Sequence, residues 1–249
     1  MIKKYIIPAL IFILPVLLVF PAEGKFRDVI NFDDSQFVSM QNLEMFHRYQ
    51  KFSGTENEDF ERTTLNYQLT YGVLKNFEVG INVPVHFYDD GNNGIGDAGM
   101  YQKFLFTEQE EGLPRTSGGF ELIFPTGDED DLPNASDELD ARLFLTLDGN
   151  FDQNWRWLAN VGYRYYGQSE DEDRFEYNTA LRAKSGPRLK FVGEINGHSG
   201  GRPDQSELYF SPGIIFEPRE GFNFTVSAPL GIGGDAADHK SNFQFGIEF

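Results

Sequence analysis

From residue 36 onward, apolar and polar side chains alternate in nearly every stretch of the chain. Leu65, Tyr67, Leu69 and Tyr71 interleave with Asn66, Gln68, Thr70 and Gly72. Phe77, Val79, Ile81, Val83, Val85 and Phe87 interleave with Glu78, Gly80, Asn82, Pro84 and His86, and Phe243, Phe245, Ile247 and Phe249 end the chain against Asn242, Gln244, Gly246 and Glu248. Successive side chains of a strand point to opposite faces, so the pattern predicts strands with one greasy and one polar face. Twelve are expected, near 38–50, 62–74, 76–88, 97–107, 116–125, 138–148, 154–167, 174–184, 188–197, 206–217, 221–230 and 240–249. The first is the weakest, because Phe46 falls on the polar phase and His47 on the apolar one; the fourth carries Gln102 on its apolar phase. No helical period, internal repeat or linker competes, so the strands form one all-β domain.

The connections fall into two kinds. After strands two, six, eight and ten they are tight, as at Lys75-Asn76 and Ser185-Gly186-Pro187. After the odd-numbered strands they are mostly long and polar, as at 54–59 and 128–134; only 108–115, longer than a turn, breaks the alternation. Short turns on one rim and long loops on the other are the layout of a closed, antiparallel, up-and-down transmembrane barrel. Strands of about ten residues suit a tilted bilayer crossing.

Alternation alone does not separate a soluble barrel, greasy inside, from a membrane barrel, greasy outside. Charge does. Glu44, Arg48, Glu78, Lys103, Glu121, Arg142, Arg156, Arg164, Glu176, Arg182, Lys190 and Glu194 all fall on the polar phase, and the opposite phase carries almost no charge. An Arg or Lys facing lipid at the bilayer midplane costs roughly 2–4 kcal/mol, so the apolar phase faces outward. Tyr and Trp recur near strand ends, where headgroup girdles belong. Unpaired backbone groups cost several kcal/mol in hydrocarbon, so the sheet must close. Twelve strands enclose a narrow, polar, partly obstructed lumen.

At the N-terminus, Lys3 and Lys4 precede an apolar run from Tyr5 to Phe20 that ends on Ala22-Glu23-Gly24. The run is short for a spanning helix and holds Pro8 and Pro15, so residues 1–24 read as a cleaved signal peptide. Residues 25–37 then form a periplasmic N-terminal segment, and 38–249 the barrel. Composition narrows the partners. A net charge of −18 and a pI near 4.5 argue against nucleic acid. The absence of cysteine excludes disulfides, thiolate metal sites and cysteine nucleophiles. With 25 Phe and 11 Tyr the chain is too aromatic for a disordered acidic polymer.

Two short motifs stand out: Gly94-Ile95-Gly96-Asp97 before Met100, and Phe124-Pro125-Thr126-Gly127-Asp128 after Phe120. Together with 77–85 and the closing Phe-x-Phe-Gly-Ile-Glu-Phe, they resemble the outer-membrane barrel family named for the meta-pathway of phenol degradation. The second motif has Phe124 where family members carry Leu. The resemblance implies a passive channel for small, aromatic or apolar, molecules, without a catalytic residue or cofactor to transfer. Phe243, Phe245, Ile247 and Phe249 resemble the C-terminal signal by which Gram-negative outer-membrane barrels reach their assembly machinery. The residues allow a local reading of the motifs as well: Gly94, Gly96 and Gly127 give backbone freedom at loop-to-strand transitions, Asp97 and Asp128 cap turns through their own backbone, and Pro84 and Pro125 mark bulges.

Lumen-lining candidates are Glu78, His86, Lys103, Glu121, Arg142, Arg156, Arg164, Arg182, Lys190 and Glu194. Their charges are expected either to pair across the barrel or to form a basic ladder that selects permeants. A non-conducting structural or surface-interaction barrel is the first alternative. A lipid hydrolase is the remote one: His239 and Ser241 are two apart, but no Asn or Asp that would orient the histidine is identifiable, and neighbouring His198 and Ser199 face opposite ways on a strand. Acidic clusters at 56–61, 128–131 and 170–173 read as a solvated rim; bridging by divalent ions to lipopolysaccharide phosphates is a second possibility, and no resident metal or other cofactor is expected. The expected surroundings are outer-membrane lipid and lipopolysaccharide, with the barrel assembly machinery as protein partner.

Overall fold

The computed structural model describes residues 43–55, 58–88, 91, 93–110, 113–127, 137–167, 173–200, 206–219, 221–234, 236 and 239–248. The proposed signal peptide, the segment 25–37, Asp128 and Phe249 lie outside them. The strands are β1 (Leu43–Thr55), β2 (Glu58–Leu74), β3 (Phe77–Tyr88), β4 (Asn93–Ile95), β5 (Ala98–Thr107), β6 (Arg115–Phe124), β7 (Asp140–Asn150), β8 (Trp155–Tyr165), β9 (Arg174–Lys184), β10 (Leu189–Gly200), β11 (Glu207–Arg219), β12 (Phe222–Ser227), β13 (Leu230–Gly234) and β14 (His239–Glu248). All pairings are antiparallel, the staves follow one another in chain order, and β1 closes on β14 from Glu44↔Glu248 to Ser53↔His239. The short β4 pairs only with β3, and β12 and β13 share one stave, which leaves a closed barrel of twelve. Ten- and eleven-residue staves run roughly 33–36 Å and, when tilted, cross an apolar belt of about 25 Å.

The faces are assigned as the charge pattern requires. Leu143 is 62% exposed on the outside, whereas its neighbour Phe144 is 6% exposed on the inside. Ile81, Leu145, Val161, Ile195, Ile214 and Val226 share the open outer surface, and Lys103 and Glu194 are buried on the inner one. His47, out of phase by residue type, still sits on the outer face, where its ring lies 4.6 Å from that of Tyr67.

Two strand boundaries differ from the sequence pattern. The polar stretch 54–59 is not an open loop: β1 and β2 continue to Thr55↔Glu58, past a bulge between Ser53 and Thr55. Main-chain pairing needs no alternation of side chains, so the hairpin outruns the amphipathic pattern. The penultimate stave is broken at Ala228-Pro229, because proline has no N–H for the ladder. Beyond the break β13 pairs with β11, and it meets β14 only at Leu230↔His239.

Candidate functional site

Register decides which inward side chains meet. Glu78 on β3 is opposite Lys103 on β5, and Lys103 Nζ donates to Glu78 Oε1 at 3.1 Å with both side chains buried. Arg142 on β7 donates from Nε to Glu176 on β9 at 2.6 Å, reaching past β8, and lies 3.7 Å from Glu121 on β6. Glu121 in turn accepts from the Asn82 amide on β3, reaching past β5. Both long reaches pass over glycine. A Cβ on Gly99 would fall 2.5 Å from Asn82 and from Glu121, and one on Gly162 would fall 3.2 Å from Glu176. The result is a continuous belt, Asn82–Glu121–Arg142–Glu176, around the β3–β9 wall.

The remaining candidates also lie on the inner face of the barrel. Arg156 donates to Asp148 at 2.7 Å, Lys190 to Glu217 at 2.7 Å, and Arg164 lies 3.9 Å from Asp140. His86 Nδ1 is 3.0 Å from the Thr64 hydroxyl. Arg182 and Glu194 are on the same inward phase, opposite Arg156 and Ser211 respectively. These ion pairs join basic residues to acids one or two strands away. A side chain reaches a neighbouring strand at about 5 Å far more readily than the opposite wall. Asp140, Asp148 and Glu217 were missed as partners, although each lies on the inward phase of its strand and parity would have identified it.

The inner wall also has two features that the polar and apolar phases did not reveal. A neutral row, Ser117, Thr146, Asn160, Asn178 and Asn196, crosses β6 to β10 in register. Asn160 donates to Thr146 at 2.7 Å and Asn196 to Ser211 at 3.3 Å. Below the row, toward the short-turn rim, Leu158, Ala180, Val192 and Ile215 form a buried apolar patch inside the barrel. On β5, Tyr101 lies over Gly80 and its hydroxyl is shared by Thr70 and Gln68, the latter donating at 2.9 Å.

The two motifs dock on each other at the long-loop rim. Asp97 Oδ1 accepts the backbone N–H groups of Thr126, at 3.1 Å, and Gly127, at 2.9 Å. Thr126 Oγ1 accepts from Ala98 N at 2.8 Å and donates to Gly96 O at 3.2 Å. Asp97 therefore caps a turn 30 residues away, not its own. Backbone freedom is also placed elsewhere than expected: the positive-φ glycines among the described residues are Gly91, Gly221 and Gly234. Gly96 serves close approach instead, since a Cβ there would fall 2.7 Å from the His86 ring. Gly94 sits in β4 opposite His86, and Pro125 begins the turn after β6. Pro84 is not at a bulge; it stands where β3 passes from pairing with β5 to pairing with β4.

At the chain end, Phe243 is exposed on the outer face, while Phe245 and Ile247 pack with Phe222, Met45 and Phe224. The hydrolase pair does not assemble at 198–199: His198 faces inward, 3.9 Å from Glu207, and Ser199 is exposed. The side chain of His239 lies outside what the structure describes.

A family model described as putative MetA-pathway of phenol degradation matches residues 43–249. The chain belongs to this family. No curated protein matches the sequence. Among solved structures, an outer-membrane channel from Pseudomonas putida F1 is similar over 89% of this chain and 100% of its own, with 13% identity and a TM-score of 0.70. The NanC porin matches over 83% and 98% of the two chains at 8% identity and TM-score 0.57, and the CymD monoaromatic hydrocarbon channel over 84% and 88% at 8% identity and TM-score 0.50. These likenesses place the family's barrel among the outer-membrane channel folds.

Proposed function

We propose that this family member is a passive channel for small molecules, aromatic or apolar ones among them, in the outer membrane of a Gram-negative bacterium. The observation that carries the reading is the closed twelve-stave barrel, apolar outside and charged inside. Lipid surrounds the apolar belt, lipopolysaccharide meets the long-loop rim, and the assembly machinery recognises the terminal phenylalanines. The neighbouring fold of a monoaromatic hydrocarbon channel supports the permeant class. No catalytic step is part of this reading.

The test is unitary current from refolded protein in planar bilayers, followed by uptake into liposomes across aromatic, fatty and sugar solutes. Discrete openings are expected. One observation favours a second reading, a non-conducting barrel: the inner wall is crowded enough that Lys103 and Glu194 are 0% exposed. Silence in both assays decides for that reading.

A further inference from the structure

Asn178 sits at the centre of the neutral row, on β9 between Asn160 and Asn196. It is 4% exposed, and neither atom of its side-chain amide has a hydrogen-bond partner among the described residues. Asn160 Oδ1 beside it is buried in the same state. A buried amide without partners costs about 1–3 kcal/mol, so such a group in a lumen wall asks for a ligand or an ordered water. Its surroundings say which ligand. Toward the long-loop rim the next inward residue on β9 is Glu176, already neutralised by Arg142. Toward the short-turn rim the next is Ala180, which joins Leu158, Val192 and Ile215 in the apolar patch. Two residues along a strand span roughly 6.7 Å, about the length of one six-membered ring.

We propose that Asn178 and Asn160 form a subsite for an uncharged small molecule that carries one hydroxyl or carbonyl group on an apolar body about one ring long. The amide donates and accepts at the polar group, and the Leu158–Ala180–Val192–Ile215 patch receives the body. A carboxylate gains little here, because the amide is neutral and Arg142 is engaged with Glu121 and Glu176. The subsite deepens the channel reading and rests on it, since the lumen must admit the molecule.

The test uses protein labelled with ¹⁵N at asparagine, refolded in micelles and titrated with benzyl alcohol or with ethylbenzene, which replaces the hydroxyl by a methyl group. The Asn178 side-chain amide, assigned by its loss in Asn178→Asp, is expected to shift with the alcohol and not with the hydrocarbon at matched free concentration. Asn178→Ala is expected to bind the alcohol about tenfold more weakly, judged on the Asn160 amide. Asn178→Ser, which keeps a hydroxyl, serves if the alanine variant does not fold, and is expected to bind more weakly than wild type. No shift of the wild-type amide, or equal shifts with both compounds, overturns the subsite and leaves Asn178 to water. Absence of ion current in bilayers overturns the channel reading separately, because binding in micelles requires no conduction.

Discussion

Between β3 and β10 the inner wall is charged, with Glu78–Lys103, Glu121–Arg142–Glu176, Asp148–Arg156 and, at its edge, Lys190–Glu217. On β12 and β14 the described side chains of the same inward phase are Asn223, Thr225, Ser227, Asn242 and Gln244, all buried and all neutral. The outer faces invert this contrast. Around β3 to β10 the outward residues stand open, whereas Phe222, Phe245 and Ile247 are packed to a few per cent exposure beside the closure with β1. The charged wall is cohesive from inside and the seam from outside. Removing one member of a buried ion pair costs about 3–5 kcal/mol, while a neutral hydrogen bond contributes a net 0.5–1.5 kcal/mol or so. The β12–β14 wall beside the closure is built from the chemistry that suffers least when a neighbour is missing, whereas β1 brings Glu44 and Arg48 to the other side of the seam.

Five changes break or sharpen that contrast, in descending order of effect. Deletion of Phe249 is expected to abolish assembly, read as loss of the heat-modifiable folded band in membrane fractions; accumulation at the wild-type level refutes the role of the chain end. Within the seam's outer cluster, Phe245→Ala is expected to lower stability by about 3–5 kcal/mol in urea unfolding from micelles. Lys103→Met leaves Glu78 buried without its cation and should cost a similar amount, about 3–5 kcal/mol. In that experiment Glu78→Gln added to Lys103→Met restores most of the loss, and strict additivity of the two changes argues against coupling. Asp97→Ala removes the acceptor of two N–H groups and is expected to cost about 1–3 kcal/mol, with faster proteolysis after Gly127, whereas Asp97→Asn retains an acceptor and costs less. Ser227→Ala, in the neutral β12–β14 wall, should fall within about 0.5 kcal/mol of wild type, since the hydroxyl has no partner among the described residues. A loss as large as that of Lys103→Met erases the distinction between the two regions.

The barrel itself is legible in period two, because a strand that faces lipid on one side and water on the other has no freedom in its parity. The strand breaks are less so. Pro229 signals a break, but nothing in the pattern tells that β13 leaves β14 and stays with β11. Inward charges are equally legible, yet their partners are not, since pairing depends on register and on which intervening residue is glycine. Asn82 reaches Glu121 only because Gly99 stands between them. The internal apolar patch escaped for another reason: Leu158 and Val192 sit on the polar phase, and an alternation test treats them as noise. Family motifs were visible as strings, but their mutual docking joins residues 30 positions apart and emerges only in three dimensions.

The tie from Asp97 to Thr126 and Gly127 has a practical reach. It holds the departure point of the chain after β6 by bonds from Gly96, Asp97 and Ala98, beside the bond of Thr126 N–H to Phe124 O within the turn itself. A foreign peptide spliced just after Gly127 therefore starts from a point held by four hydrogen bonds, which makes this rim a natural site for loop grafting.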